Sequence, residues 1–448
     1  MDYNMGVVEF LQSLKNGNID HKDFSAKFNE ELKKLRKFEF FQHEEGMHGQ
    51  GLPVSIKDNI CVRGMETTAG SRILEGYMPV FDATVVERVK KIGSVIGKTN
   101  QDEFGFGTFS TNSGWGIPKN PLDPERSCGG SSGGAAGLTA ALKMPHIALG
   151  QSTGGSISCP AAFCEVVGLT PTYGLVSRHG LIDYANSMDK IGPIGKSVQD
   201  VAWMLSIIAG HDAKDSTSLA VTAKDYTKTR SIKGMKLAMP KEYFVNVDKG
   251  VEKDVRAAIK KLEALGATCE EVSLPNTQNA LYAYYIIAAC EASTNLARYC
   301  GMRYGAEQEI KGDFNEYFSA VRTKGFGEEA KRRIILGTFA RMAGYREAYY
   351  HKAMRVRTLV INEFKSIFSK YDAIVAPTMP IRAPKFSEIK KRTPLENYQM
   401  DILTVPANLA GIPMISVPCG QFTGLHIIGG HLQEEKIVSI AAAHEEGK

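Results

Sequence analysis

The sequence predicts an α/β protein: a single large domain, residues 1–448, on a mostly parallel, mixed central sheet with helices covering both faces. Short strand-like apolar runs alternate with helical stretches, the order that places helices on either side of a sheet. The 448 residues, 43% of them apolar, can bury a large core. No internal repeat or low-complexity linker divides them.

The elements follow from the spacing of apolar residues. Val7, Val8, Leu11 and Leu14, then Phe24, Phe28, Leu32 and Leu35, each mark one apolar face at helical period, so N-terminal helices occupy 1–45. From residue 52 the pattern changes to strand-like runs at 52–56, 94–97 and 146–150, separated by helical stretches at 84–92 and 135–144. A polar segment rich in Lys, Thr, Ser and Asp at 212–233 interrupts this order. Helical patterns at 276–304 and 328–370 define a helical subregion at about 276–370. It belongs to the same domain, because strand-like runs return at 373–377, 415–418 and 425–428, before a last helical stretch at 434–445. The sheet is therefore expected to close with residues from both ends of the chain.

Composition excludes several classes. With 54 basic and 49 acidic residues the formal charge is +5, too mild for a protein that coats nucleic acid. The basic runs Lys331-Arg332-Arg333 and Lys390-Lys391-Arg392 read as solvated faces. Eight cysteines without a CxxC pair suggest neither a zinc site nor a disulfide scaffold, and fit a reducing cytoplasm. No stretch approaches the ~18 apolar residues that span a bilayer, and the N-terminus lacks a leader pattern, so a soluble, unprocessed protein is expected. His146, His179 and His426 fall in no metal-ligand spacing.

The chemistry lies between Lys57 and Ser156. Cys128-Gly129-Gly130-Ser131-Ser132-Gly133-Gly134 and Gly154-Gly155-Ser156 place serines in glycine-rich turns, and Lys57 closes the apolar run from Leu52. A lysine is a base only when neutral, which near pH 7 requires its pKa to fall by roughly three units from ~10.4; burial at the end of a core strand supplies that. Serine is a feeble nucleophile, so Ser156 needs its proton relayed away, and Ser131 is the candidate bridge to Lys57. Backbone N–H groups of Thr153, Gly154 and Gly155 can crowd around one point as an oxyanion hole. Alternatives exist for the same residues. Gly129-Gly130-Ser131-Ser132-Gly133 satisfies GxSxG, the elbow of α/β hydrolases, but the residues 121–126 ahead of it do not read as a strand. No GxxxxGK[ST] supports a phosphate loop.

Leu52-Pro53-Val54-Ser55-Ile56-Lys57-Asp58-Asn59, the GGSSGG block, Thr153-Gly154-Gly155-Ser156-Ile157 and Pro160-Ala161-Ala162-Phe163-Cys164 together resemble the amidase signature family. Segments 171–178, 331–338 and 406–411 resemble, within it, the A subunits of aspartyl/glutamyl-tRNA amidotransferases. The resemblance implies a Ser-Ser-Lys triad, with Ser156 as nucleophile, Ser131 as the bridge in a cis peptide and Lys57 as base. It implies hydrolysis of glutamine through a glutamyl-enzyme ester, with the ammonia passing to partner subunits B and C for amidation of misacylated Glu-tRNA(Gln) or Asp-tRNA(Asn). No cofactor or metal is implied in this chain; ATP and Mg belong to the partner subunit. Motif position makes Arg333 and Asp401 the cation and anion for glutamine's α-groups, with Arg332 as the fallback. Arginine can hold a carboxylate with two parallel N–H donors, and aspartate selects the α-ammonium, so a simple amide would be refused.

The chain also departs from the family pattern. Ser152 and Ser158 stand where an acidic residue and an arginine are usual around the nucleophile, and Cys128 stands where proline is common. The interval from Ser131 to Ser156 is one residue longer than in the family, which leaves Ser132 as an alternative relay. Two competing functions are a stand-alone amidase for small carboxamides and a catalytically silent scaffold.

Overall fold

The computed structural model describes residues 3–307, 309 and 311–446. Eleven strands among them form one sheet: β1 (Phe41–Glu44), β2 (Leu52–Lys57), β3 (Gly93–Thr99), β4 (Ile147–Ser152), β5 (Val167–Thr170), β6 (Lys190–Gly195), β7 (Lys236–Pro240), β8 (Thr268–Val272), β9 (Ala373–Pro377), β10 (Met414–Gly420) and β11 (Thr423–Gly429). Their spatial order is β1-β3-β2-β4-β6-β5-β10-β11-β9-β7-β8. The C-terminal strands β10 and β11 thus join the N-terminal half of the sheet to the rest, as closure from both ends requires.

The sheet is mixed, as expected, but it is not mostly parallel. Strands β3, β2 and β4 run parallel, as do β9, β7 and β8, while the six other neighbouring pairs are antiparallel. The reason is connectivity. Parallel neighbours need a crossover, usually a helix. Strands β10 and β11 are instead a hairpin turning at Gln421 and Phe422, and β5 reaches β6 through 171–189 without a helix.

Alternation along the central strands feeds two cores. Ala373, Val375, Ile415, Val417, Leu425 and Ile427 enter one cluster, whereas Ile374, Ala376, Met414 and Ile428 enter the other. The first is covered by helices that include His21–Leu35, Val198–Ile208, Lys249–Ala264 and Glu434–Glu446, the second by Thr277–Asn295, Lys352–Phe368 and Val405–Ala410. His21–Leu35 shows how the sequence sets such a helix. Asp20 caps it by accepting from the Lys22 amide, and Phe24, Phe28 and Leu32 at four-residue intervals are buried.

The N-terminal stretch 1–45 is not helical throughout. Glu39 takes a left-handed conformation (φ 61°) that turns the chain, and Phe41–Glu44 becomes an edge strand on β3. The helical subregion at 276–370 contains Thr277–Asn295, Phe314–Gly325, Glu328–Arg341 and Lys352–Phe368. No helix among the described residues is long and apolar enough to cross a membrane, and all eight cysteines are free thiols.

Candidate active site

The site forms where β2 and β4 end side by side. They pair in parallel, Val54 beside Ile147 and Ile56 beside Leu149, so Lys57 and Gln151 reach the same carboxyl edge of the sheet. Ligands of open α/β sheets bind at such edges. Lys57 is fully buried. Its Nζ lies 2.7 Å from Ser131 Oγ, 2.9 Å from the Gln151 carbonyl oxygen and 3.2 Å from Gln151 Oε1. Burial lowers the lysine pKa from 10.5 to about 7, against the opposing pull of Asp102 and Asp189.

Ser131 follows a cis Gly130–Ser131 peptide in the glycine turn. Gly129 is required there: its φ is +78°, and a Cβ would meet Pro160 Cα at 2.8 Å. Of the two candidate relays, only Ser131 is placed on the lysine. Ser132 Oγ donates instead to the Gln151 carbonyl at 3.1 Å, and its amide donates to the Ser156 carbonyl at 3.2 Å, tying the two serine loops together.

Ser156, with Gly154 and Gly155, lines a cavity of about 240 Å³. Among the described residues no acceptor is found for the amides of Thr153, Gly154 and Gly155. Two of these three donors thus border the cavity beside the nucleophile candidate. Asn408 Nδ2 holds the Gly154 carbonyl at 2.5 Å, and Thr153 Oγ1 donates to Asp189 Oδ1 at 2.7 Å, so the turn is anchored from both sides.

Arg333 and Asp401 line the same cavity although 68 positions separate them in sequence. Neither is a surface charge. Arg333 is 4% exposed, donates from Nε to Glu329 Oε1 at 2.7 Å and from Nη1 to Tyr184 Oη at 3.0 Å, and sits 4.7 and 4.6 Å from the ring centroids of Tyr285 and Tyr398. Asp401 accepts from Thr108 Oγ1 at 3.0 Å and from Tyr285 Oη at 2.6 Å. Burial raises its pKa to about 6, opposed by those two donors and by Arg333. Its two oxygens retain lone pairs for a further donor. Arg332 lines the cavity as well, but its side chain is 39% exposed and paired with Glu329.

Several contributors were not visible in the sequence. Asp102 ties down the cavity wall by accepting from the Ser110 and Asn112 amides at 3.0 and 2.9 Å. Asp189 accepts from the Tyr184 and Ala185 amides at 2.8 and 3.0 Å. The available signal was a polar residue closing an apolar strand, as Gln151 does after Ile147-Ala148-Leu149-Gly150. At the departures from the family pattern, Ser152 Oγ accepts from Asn408 Nδ2 at 3.4 Å, and Ser158 Oγ is buried with no partner among the described residues. Cys128 is buried behind the glycine turn.

Comparison with known proteins gives the family and the fold. The family model described as Amidase matches residues 27–438. The A subunit of the glutamyl-tRNA(Gln) amidotransferase of Geobacillus kaustophilus is 50% identical over 404 residues, 88% of this chain and 83% of that protein. Its namesake in Methanococcoides burtonii is 50% identical over 402 residues, 88% of this chain and 84% of that one. Among solved structures, the A subunit of the glutamyl-tRNA(Gln) amidotransferase of Thermotoga maritima superposes with a TM-score of 0.84 at 39% identity, covering 100% of this chain and 96% of its own. The peptide amidase of Stenotrophomonas maltophilia superposes with a TM-score of 0.80 at 26% identity, covering 99% and 96%.

Proposed function

This chain belongs to the amidase family, and from that premise we propose that it is the glutamine-hydrolysing subunit of a tRNA-dependent amidotransferase. The carrying observation is that one cavity holds Ser156 together with a buried arginine and a half-buried aspartate. Glutamine has a carboxylate, an ammonium and a carboxamide to match them. Its α-carboxylate faces Arg333, its α-ammonium faces Asp401, and its side-chain amide carbon faces Ser156.

The residues then divide the reaction. Lys57, neutral, takes the proton of Ser131; Ser131 takes that of Ser156; and Ser156 Oγ attacks the carboxamide carbon. The oxyanion is received by the amides of Thr153, Gly154 and Gly155. The proton returns through Ser131 to the nitrogen, the C–N bond breaks, and ammonia leaves a glutamyl ester on Ser156. Water then attacks the ester by the same relay, releasing glutamate and restoring the serine. The sum is glutamine and water to glutamate and ammonia.

The relatives' names assign them to an amidotransferase of glutamyl-tRNA(Gln). In this reading the ammonia is consumed by partner subunits B and C, which carry ATP, Mg and the misacylated tRNA, in the cytoplasm. This chain supplies no cofactor of its own to the step. The test is a comparison of kcat/KM for glutamine and for simple carboxamides of similar length, on the chain alone and with its partners. Glutamine is expected to win by at least ~100-fold, because an analogue lacking the α-groups makes no ion pair with the remaining donors of Arg333 or with Asp401. Equal rates would mark a stand-alone amidase, and no turnover with partners present would mark a scaffold.

A further inference from the structure

The Lys57 amine has three neighbours within hydrogen-bond reach, and two of them belong to one residue. Beside Ser131 Oγ stand the main-chain carbonyl and the side-chain Oε1 of Gln151, at 2.9 and 3.2 Å. A neutral amine has two N–H donors and one lone pair, whereas an ammonium has three donors and none. Both Gln151 atoms can only accept. With the amine neutral its two N–H bonds point at them, and the lone pair is left facing the Ser131 hydroxyl. We propose that Gln151 is the positioning residue for the base, its side-chain carbonyl fixing the lone pair of Lys57 on Ser131.

The orientation of that amide follows from its other contacts. Nε2 donates to Thr153 Oγ1 at 2.8 Å and to Asp189 Oδ1 at 3.0 Å, both able to accept. Asn59 Nδ2 donates to Oε1 from the opposite side at 3.3 Å. A flipped amide would set its NH2 against two nitrogens and its carbonyl against a carboxylate. The same residue therefore separates the base from an acid. The charges that bear on Lys57 are those of Asp102 and Asp189, both favouring the ammonium. Asp58, next in sequence, is engaged by Thr68, Gly70 and Lys98. Gln151 puts a neutral dipole between Lys57 and Asp189, so that burial prevails and the amine stays available to accept a proton.

The inference rests on Lys57 being the base of the proposed reaction. Its test is the pH profile of kcat/KM in the wild type, Gln151→Glu and Gln151→Met. Gln151→Glu sets a carboxylate on the amine and should move the acid limb up by about one pH unit or more. Gln151→Met removes an acceptor that favours the ammonium, so its limb should move down while its plateau falls at least ~10-fold, the lone pair no longer being held. A residue that merely supports the fold would lower plateaus and leave the limb in place. Limbs at the wild-type pH in both variants would overturn the proposal. If Gln151→Met does not fold, Gln151→Asn, whose shorter amide falls short of the amine, takes its place, with the same lower limb and lower plateau expected. The same shifts, read from the NMR titration of Lys57 Nζ, need no substrate, so a wild type that ignores glutamine would sink the glutamine reading while this measurement still decides the role of Gln151.

Discussion

Replacing Lys57 by methionine should abolish activity and yet stabilise the fold near neutral pH, by an amount that depends on pH in a calculable way. In the folded protein the lysine pKa is lowered from 10.5 to about 7 by complete burial. At pH 7 the unfolded chain carries an ammonium there, and folding must hold the amine half neutral. At 1.36 kcal/mol per unit this costs roughly 4 kcal/mol. Methionine fills the same slot without that cost. Against it stands the loss of the Ser131 hydroxyl's partner, a penalty of about 1–3 kcal/mol, because both Gln151 oxygens keep other donors, Ser132 and Asn59. The net gain at pH 7 is therefore about 1–3 kcal/mol.

The sign of the pH dependence is fixed. Between pH 7 and about 10 the unfolded wild type binds one more proton than the folded one, so wild-type stability rises with pH while the variant lacks that slope. The advantage of Lys57→Met should shrink by about 1.4 kcal/mol per unit above pH 7 and level off below it. Urea unfolding of both proteins at pH 7, 8 and 9 measures the difference, in which the titrations of groups remote from Lys57 cancel. A difference that does not change with pH would refute the claim that this amine is buried and neutral.

Three further outcomes follow from the site. Ser156→Ala and Lys57→Ala should each lower amide hydrolysis by ~1,000-fold or more with circular dichroism unchanged, and wild-type rates in either would overturn the assignment. Glutamine affinity, measured by calorimetry in Ser156→Ala to separate binding from chemistry, should fall as pH drops through about 6, where the carboxylate of Asp401 takes up a proton. Asp401→Asn should remove that dependence, and Arg333→Lys should weaken binding by ~2 kcal/mol or more through loss of the two-pronged contact. Ser158→Ala should be neutral or stabilise by up to about 1 kcal/mol in chemical denaturation, since its buried hydroxyl has no partner among the described residues.

Much of this was legible in the sequence where the signal is local. The run at 373–377 is the strand Ala373–Pro377, and 52–56 is one residue short of Leu52–Lys57. Buried apolar strands ending in a polar residue announce themselves. Strands β5 and β6 did not, because Gly168, Gly192, Pro193 and Gly195 look like turn residues until neighbours on both sides supply the pairing. Strand β8, Thr-Cys-Glu-Glu-Val, is an exposed edge with no apolar alternation to read. The candidates Lys57, Ser131 and Ser156 stood out because they sit in glycine turns and at a strand end. The cavity wall did not: Thr108, Tyr184 and Tyr285 come from three distant segments, and only packing brings them against Arg333 and Asp401, whereas Glu329 reaches Arg333 from one turn earlier on the same helix.

The central claim is that Ser156 carries the acyl group, activated through Ser131 by an uncharged Lys57. A diazo-ketone analogue of glutamine, followed by peptide mass spectrometry, asks where the covalent bond forms. The expected result is a single adduct on Ser156 that disappears in Ser156→Ala and forms far more slowly in Lys57→Ala. An adduct on Ser131, or equal labelling with and without Lys57, would contradict it.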